Sequence, residues 1–249
     1  MNPPRIKLEI CTASPEDCLT AEQSGADRVE LNSALMLGGL TPSLGSLREA
    51  LAITRIPIIV MIRPRAAGFG YSEAEFKVMQ RDAEAALAEG AAGIAFGILT
   101  DKGAIDTKWC ARICQLAAGR QIVFHRAFDV VPEPLAALDQ LIELGVTRVM
   151  TSGQEANAYN GAANIASYLR HAAGRIEILP AGGINRFTVV DVVSRTGCDQ
   201  VHASLSTVSK DRSVLARPQI SFGGTLKPPE DEFPITDSGA VANLRRILG

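Results

Sequence analysis

The chain has few aromatic residues, 5% of 249, with a single Trp and only three histidines. It also lacks an excess of charge: 25 Lys and Arg against 27 Asp and Glu leave a formal net charge of −2. Without the basic surplus that drives phosphate-backbone binding, no nucleic-acid partner is expected. Long apolar runs are missing too. The densest, Ile56 to Ile62, contains Pro57 and falls far short of the roughly 20 residues that cross a bilayer, so no membrane insertion is expected. The five cysteines (Cys11, Cys18, Cys110, Cys114 and Cys198) contain no CxxC pair and form an odd, scattered set, which suits free thiols in a reducing cytoplasm. Met1 to Glu9 carries charges and two prolines where a secretory signal would have a cationic segment leading into an apolar one, so a cytoplasmic location is expected. What remains, with 47% hydrophobic residues, is the composition of a soluble globular protein.

One pattern recurs along the chain: a short β-branched run, a polar turn, an amphipathic stretch, then a glycine before the next run. It predicts strands at Ile6–Cys11, Arg28–Leu31, Ile58–Ile62, Gly93–Gly97, Gln121–His125, Arg148–Thr151, Ile176–Pro180 and Gln200–Ala203, separated by helices. Gly25, Gly90, Gly145 and Gly197 stand where helices end. Ser14-Pro15, Ser72 with Glu75, and Asp129 ahead of Pro132 stand where helices begin. A doubly wound sheet shares this alternation but gathers its ligand groups at one crevice. Here polar residues end nearly every strand, and closing eight strands into a (β/α)8 TIM barrel brings all those ends to one rim. The expected architecture is one α/β barrel domain over residues 1–249, with strands between about 6 and 204. After Ser204–Lys210 comes an extended C-terminal segment: a proline-rich stretch from Arg217 to Pro234, read as a loop near the barrel mouth, and a last helix around Val241–Leu248.

Alternation within strands places the candidate chemistry. Glu9 and Cys11 share a face of the first strand, Glu30 and Asn32 a face of the second, and Arg63 follows Met61 at the end of the third. Ionisable groups so deep in apolar strands need partners, so Glu9, Glu30 and Arg63 are expected in one ionic network, either a buried plug or part of a site. His125 and His202 end strands five and eight and are suited to proton transfer or metal ligation. His171, near a helix end, reads as a surface residue. Asp129 can orient His125, fix Arg126 or cap the next helix. Gly182 and Gly183 after strand seven, with Ser204 after strand eight, occupy the corner where barrels often bind phosphate. Thr151, Ser152, Arg63, Arg65 and Arg126 add hydroxyl and guanidinium groups for a small anionic or polar ligand. Cys11 is the one thiol at the predicted rim, and it is either a metal ligand, a nucleophile or a small packing residue. Cys110 and Cys114, one helical turn apart, fit packing better. Glu9, Glu30, His125 and His202 are the alternative ligands for a borderline or hard divalent ion.

Several segments together resemble the CutC copper-homeostasis family across roughly Lys7 to Ser204. They are Leu8-Glu9-Ile10-Cys11, Gly25 to Leu31 (GADRVEL), Gly38 to Ser43 (GGLTPS), Met61 to Arg65 (MIRPR), Phe124 to Asp129 (FHRAFD) and Thr151-Ser152-Gly153. The resemblance implies a cytoplasmic TIM barrel, a homodimer or larger homo-oligomer, and copper binding with Cys11 as a ligand. Family members often carry a cysteine immediately after the Glu-Leu of strand two, where this chain has Asn32. The two-thiolate copper site implied by the family is therefore broken here. The alternative expectation is an enzyme, a lyase, isomerase or hydrolase, in which Glu9, Glu30, His125, Asp129 and His202 move protons on an anionic or phosphorylated metabolite.

Overall fold

Eight short runs of buried residues form the strands β1 (Lys7–Thr12), β2 (Arg28–Leu31), β3 (Ile58–Met61), β4 (Gly93–Phe96), β5 (Gln121–Phe124), β6 (Arg148–Thr151), β7 (Glu177–Pro180) and β8 (Gln200–Ala203). They belong to a computed structural model that describes residues 5–117, 119–223 and 229–249. Hydrogen-bonded neighbours are parallel and run β7-β6-β5-β4-β3-β2-β1-β8. β7 lies against β8, so the ring is nearly closed. Helices α1 (Pro15–Gln23), α2 (Leu44–Ile53), α3 (Glu73–Ala88), α4 (Thr107–Leu116), α5 (Pro134–Glu143), α6 (Ala162–Ala172) and α7 (Val189–Thr196) alternate with the strands, and α8 (Ser238–Leu248) follows β8 after the C-terminal segment. The fold is a TIM barrel. No helix among the described residues is long and apolar enough to cross a membrane.

Local chemistry sets these boundaries. Ser14 Oγ accepts from the Asp17 amide at 3.0 Å to start α1. Ser72 and Glu75 cap α3 reciprocally, at 3.2 and 2.8 Å. The four helix-ending glycines all have φ between +73° and +103°, where a Cβ would be strained. Asp129 departs from expectation. It does not cap α5, which starts at Pro134, but lies in a 3₁₀ turn over Arg126–Val130.

Outward side chains pack beneath the helices in the main core. A smaller apolar cluster (Ile59, Met61, Ala95, Val123, Met150, Leu179 and Ala181) fills the middle of the barrel. At the N-terminal strand ends a polar layer plugs the interior. Arg28 pairs with Glu9 and donates to Gln200 at 3.0 Å, and Arg148 donates to Glu177 at 2.7 Å and to Gln121 at 3.0 Å.

The C-terminal segment is not all loop. β9 (Ser206–Lys210) pairs antiparallel with β10 (Glu232–Thr236), so the end of the stretch read as a loop is a strand. Residues 224–228 of that stretch lie outside the described residues. α8 then packs beside α1 and α7 and completes the helical ring, with Arg245 reaching Asp27 at 2.9 Å.

Candidate functional site

The parallel register decides which inward side chains meet. Glu9 of β1 stands level with His202 of β8 and with Arg28 of β2, and Cys11 stands level with Glu30. Above the apolar cluster these residues open into a cavity of about 470 Å³ at the C-terminal rim, lined among others by Cys11, Glu30, Asn32, Arg63, His125 and His202.

One wall is a donor cluster. Cys11 Sγ, a Glu30 carboxylate oxygen and a His202 ring nitrogen lie within 4.8 Å of one another. His202 Nδ1 is 2.7 Å from Glu9 Oε1, which leaves Nε2 as the nitrogen available to a ligand. Glu30 Oε2 accepts from Asn32 Nδ2 at 3.0 Å, whereas Oε1 is buried without any partner. The set fits a metal ion: sulfur, nitrogen and oxygen converge, one oxygen is unsatisfied, and a carboxylate behind the histidine fixes its orientation. Burial would raise the Glu9 carboxyl, but Arg28 and His202 outweigh it and hold it well below the usual carboxylate range. For Glu30 burial prevails over His202 and raises the carboxyl. Burial likewise raises the Cys11 thiol. His202 is raised because Cys11, Glu9 and Glu30 together outweigh its own desolvation.

The second wall is made of Arg63 and His125. Arg63 donates to the carbonyls of Leu37 (3.1 Å), Gly39 (3.0 Å) and Ala67 (2.7 Å), tying two rim loops together. His125 Nδ1 accepts from the Ala127 amide at 3.1 Å, so the ring proton sits on Nε2. Burial, reinforced by Arg63, pushes its pKa down to about 3. The ring fits because residue 97 is glycine: a Cβ there would lie 2.4 Å from His125 Cε1. A smaller recess of about 280 Å³ adjoins the cavity, lined by Gly182, Gly183, Arg126, His202 and Ser204.

Several expectations need correction. Arg63 is not in a network with Glu9 and Glu30, because its Nη groups are engaged by backbone carbonyls; Arg28, level with Glu9 on the neighbouring strand β2, is the cation that Glu9 finds. Glu9 sits beneath the cavity, behind His202, and is not among the lining residues. Arg65 is turned away to Glu75, at 2.5 Å, and to the Gly70 carbonyl. Thr151 and Ser152 are fully buried and hold Asp129 instead of facing a ligand. Asp129 does not bond His125; it accepts from Thr151, Ser152 and Gln154 and anchors Arg126 at 2.7 Å. His171 is a half-buried partner of Asp139, and Cys110 and Cys114 are buried packing residues. Arg28, Gly97 and Phe69, whose ring centroid lies 5.1 Å from that of His125 in the cavity wall, were not singled out by the sequence pattern. Arg28 shares strand parity with Glu30, and a glycine closing a strand is a sign of close approach, so two of the three left a signal.

The profile of the CutC family matches residues 6–207 of the chain. The chain belongs to the CutC family. A family protein CutC of Treponema denticola is 50% identical over 98% of this chain and 99% of its own length. The copper homeostasis protein cutC homolog of Homo sapiens is 37% identical over 96% of this chain and 88% of its own. The crystal structure of a CutC protein from Streptococcus agalactiae superposes with a TM-score of 0.75 at 33% identity, covering 79% of this chain and 97% of that one. In this CutC chain Asn32 Nδ2 lies 3.4 Å from Cys11 Sγ, so an amide adjoins the thiol and the donor cluster is mixed.

Proposed function

We propose that this CutC protein binds one copper ion in the barrel mouth through Cys11, His202 and Glu30, and that it serves copper homeostasis in the cytoplasm. The observation that carries the reading is the convergence of those three donor atoms around a buried carboxylate oxygen with no other partner. Thiolate and imidazole both suit copper, and Met61 and Met150 add thioethers to the cavity lining. Binding releases protons, since the Cys11 thiol is raised by burial and must ionise to ligate. The test is titration of the full chain with Cu(I) against a chromophoric chelator. One equivalent is expected to bind the parent, with binding lost in Cys11→Ser and weakened in Glu30→Gln. No stoichiometric binding, or equal binding by Cys11→Ser, refutes the reading. We also propose that the chain self-associates, a reading supported by exposed apolar side chains on β9, β10 and the segment between them, among them Val208, Phe222 and Phe233.

A further inference from the structure

We propose that Arg63 and His125 form an oxyanion-binding wall, which takes the carboxylate or phosphoryl group of a small metabolite into the barrel mouth. Buried polar atoms are nearly always hydrogen-bonded, and an unpartnered one calls for a ligand or another explanation. Among the described residues, four side chains with such atoms line this one cavity: Glu30 Oε1, Asn32 Oδ1, Arg63 Nε and His125 Nε2. Glu30 is accounted for by the donor cluster. The Arg63 and His125 atoms are N–H donors, and no metal ion satisfies a donor.

Their donor character is fixed by geometry. His125 Nδ1 is occupied as an acceptor by the Ala127 amide, so Nε2 carries the hydrogen. The Arg63 Nη groups are spent on three carbonyls, and no carboxylate among the described residues neutralises the guanidinium. Arg63 is 7% exposed and His125 4%, and both side chains belong to the wall of the cavity. Phe69 backs both groups, with its ring centroid 5.1 Å from that of His125 and 5.4 Å from Arg63 Cζ, which lowers the local dielectric and strengthens charge-assisted bonds. An uncompensated cation beside a neutral N–H donor is complementary to an oxyanion. A cavity of about 470 Å³ has room for a metabolite-sized body behind that group.

The inference is independent of copper, because neither residue belongs to the donor cluster. To test it, the full chain without added metal is titrated with malonate in one arm and inorganic phosphate in the other. The readouts are the His125 ring-nitrogen resonances in ¹⁵N-histidine protein and the unfolding temperature. A saturable Nε2 shift with a rise in unfolding temperature is expected. A response to malonate alone identifies a carboxylate site, and a response to phosphate alone a phosphoryl site. His125→Asn keeps an acceptor for the Ala127 amide but removes Nε2–H, and Arg63→Lys keeps the charge but removes Nε–H. Each should weaken binding roughly tenfold or more. Cys11→Ser should bind as the parent does, although it loses copper. The proposal is overturned if neither anion gives a saturable response, or if both variants bind as tightly as the parent. Should a variant fail to fold, the resonances of the parent still decide.

Discussion

Glu9 and Glu30 stand on neighbouring strands and are both buried, yet their surroundings drive them apart. Glu9 has Arg28 and His202 on its two oxygens, whereas Glu30 has one amide and an open oxygen. The ionised Glu9 is therefore structural and the open Glu30 is available. Removing one member of a buried pair strands the other charge, so Arg28→Met should destabilise the chain by roughly 3–5 kcal/mol, measurable by urea unfolding at neutral pH. A loss below about 1 kcal/mol would mean that Gln200 and water satisfy Glu9 without Arg28. His125 gives a pH signature. Its folded pKa, about 3, lies below the unfolded value near 6.5, so between these limits the unfolded chain binds the extra proton and this contribution to stability falls as the pH falls. Glu30, raised by burial, contributes with the opposite sign just above the ordinary carboxylate range. The informative quantity is therefore the difference between parent and His125→Asn. From pH 4.5 to pH 6.5 it should move in favour of the parent, by about 1.4 kcal/mol per pH unit at the acid end and about half that near pH 6.5, where the unfolded ring is half protonated. A difference that does not change with pH would show that the ring is not buried neutral.

At the scale of elements, register does what no single residue can. The pairing of β1 with β2 sets Cys11 beside Glu30, and the pairing of β1 with β8 sets Glu9 beside His202, across 19 and 193 positions of sequence. Alternation along each strand was legible, because glutamate and cysteine two residues apart must face the same way. The stagger between strands was not, and it made the difference between Glu9 at the rim and Glu9 one layer beneath it. The Arg63 error has the same origin. Its parity was legible, but the carbonyls that claim it come from loops whose path the sequence does not reveal. The hydroxyls of Thr151 and Ser152 follow a strand, as ligand groups often do, and nothing local in the sequence shows that Asp129 takes them. If Glu9 orients His202 for metal binding, Glu9→Gln should weaken copper affinity roughly 10–100-fold while Cys11 and Glu30 stay in place. Unchanged affinity in the chelator titration would reduce Glu9 to a partner of Arg28 alone.

Across the whole molecule the barrel separates two tasks. The N-terminal strand ends hold the paired plug of Arg28, Glu9, Gln200, Arg148 and Glu177, and the C-terminal ends hold the open cavity with its unpaired atoms. That polarity is legible in the polar residues at the ends of the eight strands, which closure of the barrel brings to one rim. The β9–β10 ribbon was harder to foresee, since its pairing spans a proline-rich stretch without alternation. A two-stranded ribbon is only marginally stable by itself. This one is fastened at its base, where the Thr236 amide donates to Asp17 at 2.6 Å, but Phe233 remains 47% exposed and Phe222 76%. A second copy of the chain would cover these rings. Sedimentation velocity should then show a dimer or larger assembly for the parent and a shift toward monomer for Phe233→Asp, with the unfolding midpoint dependent on protein concentration only in the parent. A parent that sediments as a monomer at every concentration would leave the ribbon's apolar side chains simply exposed.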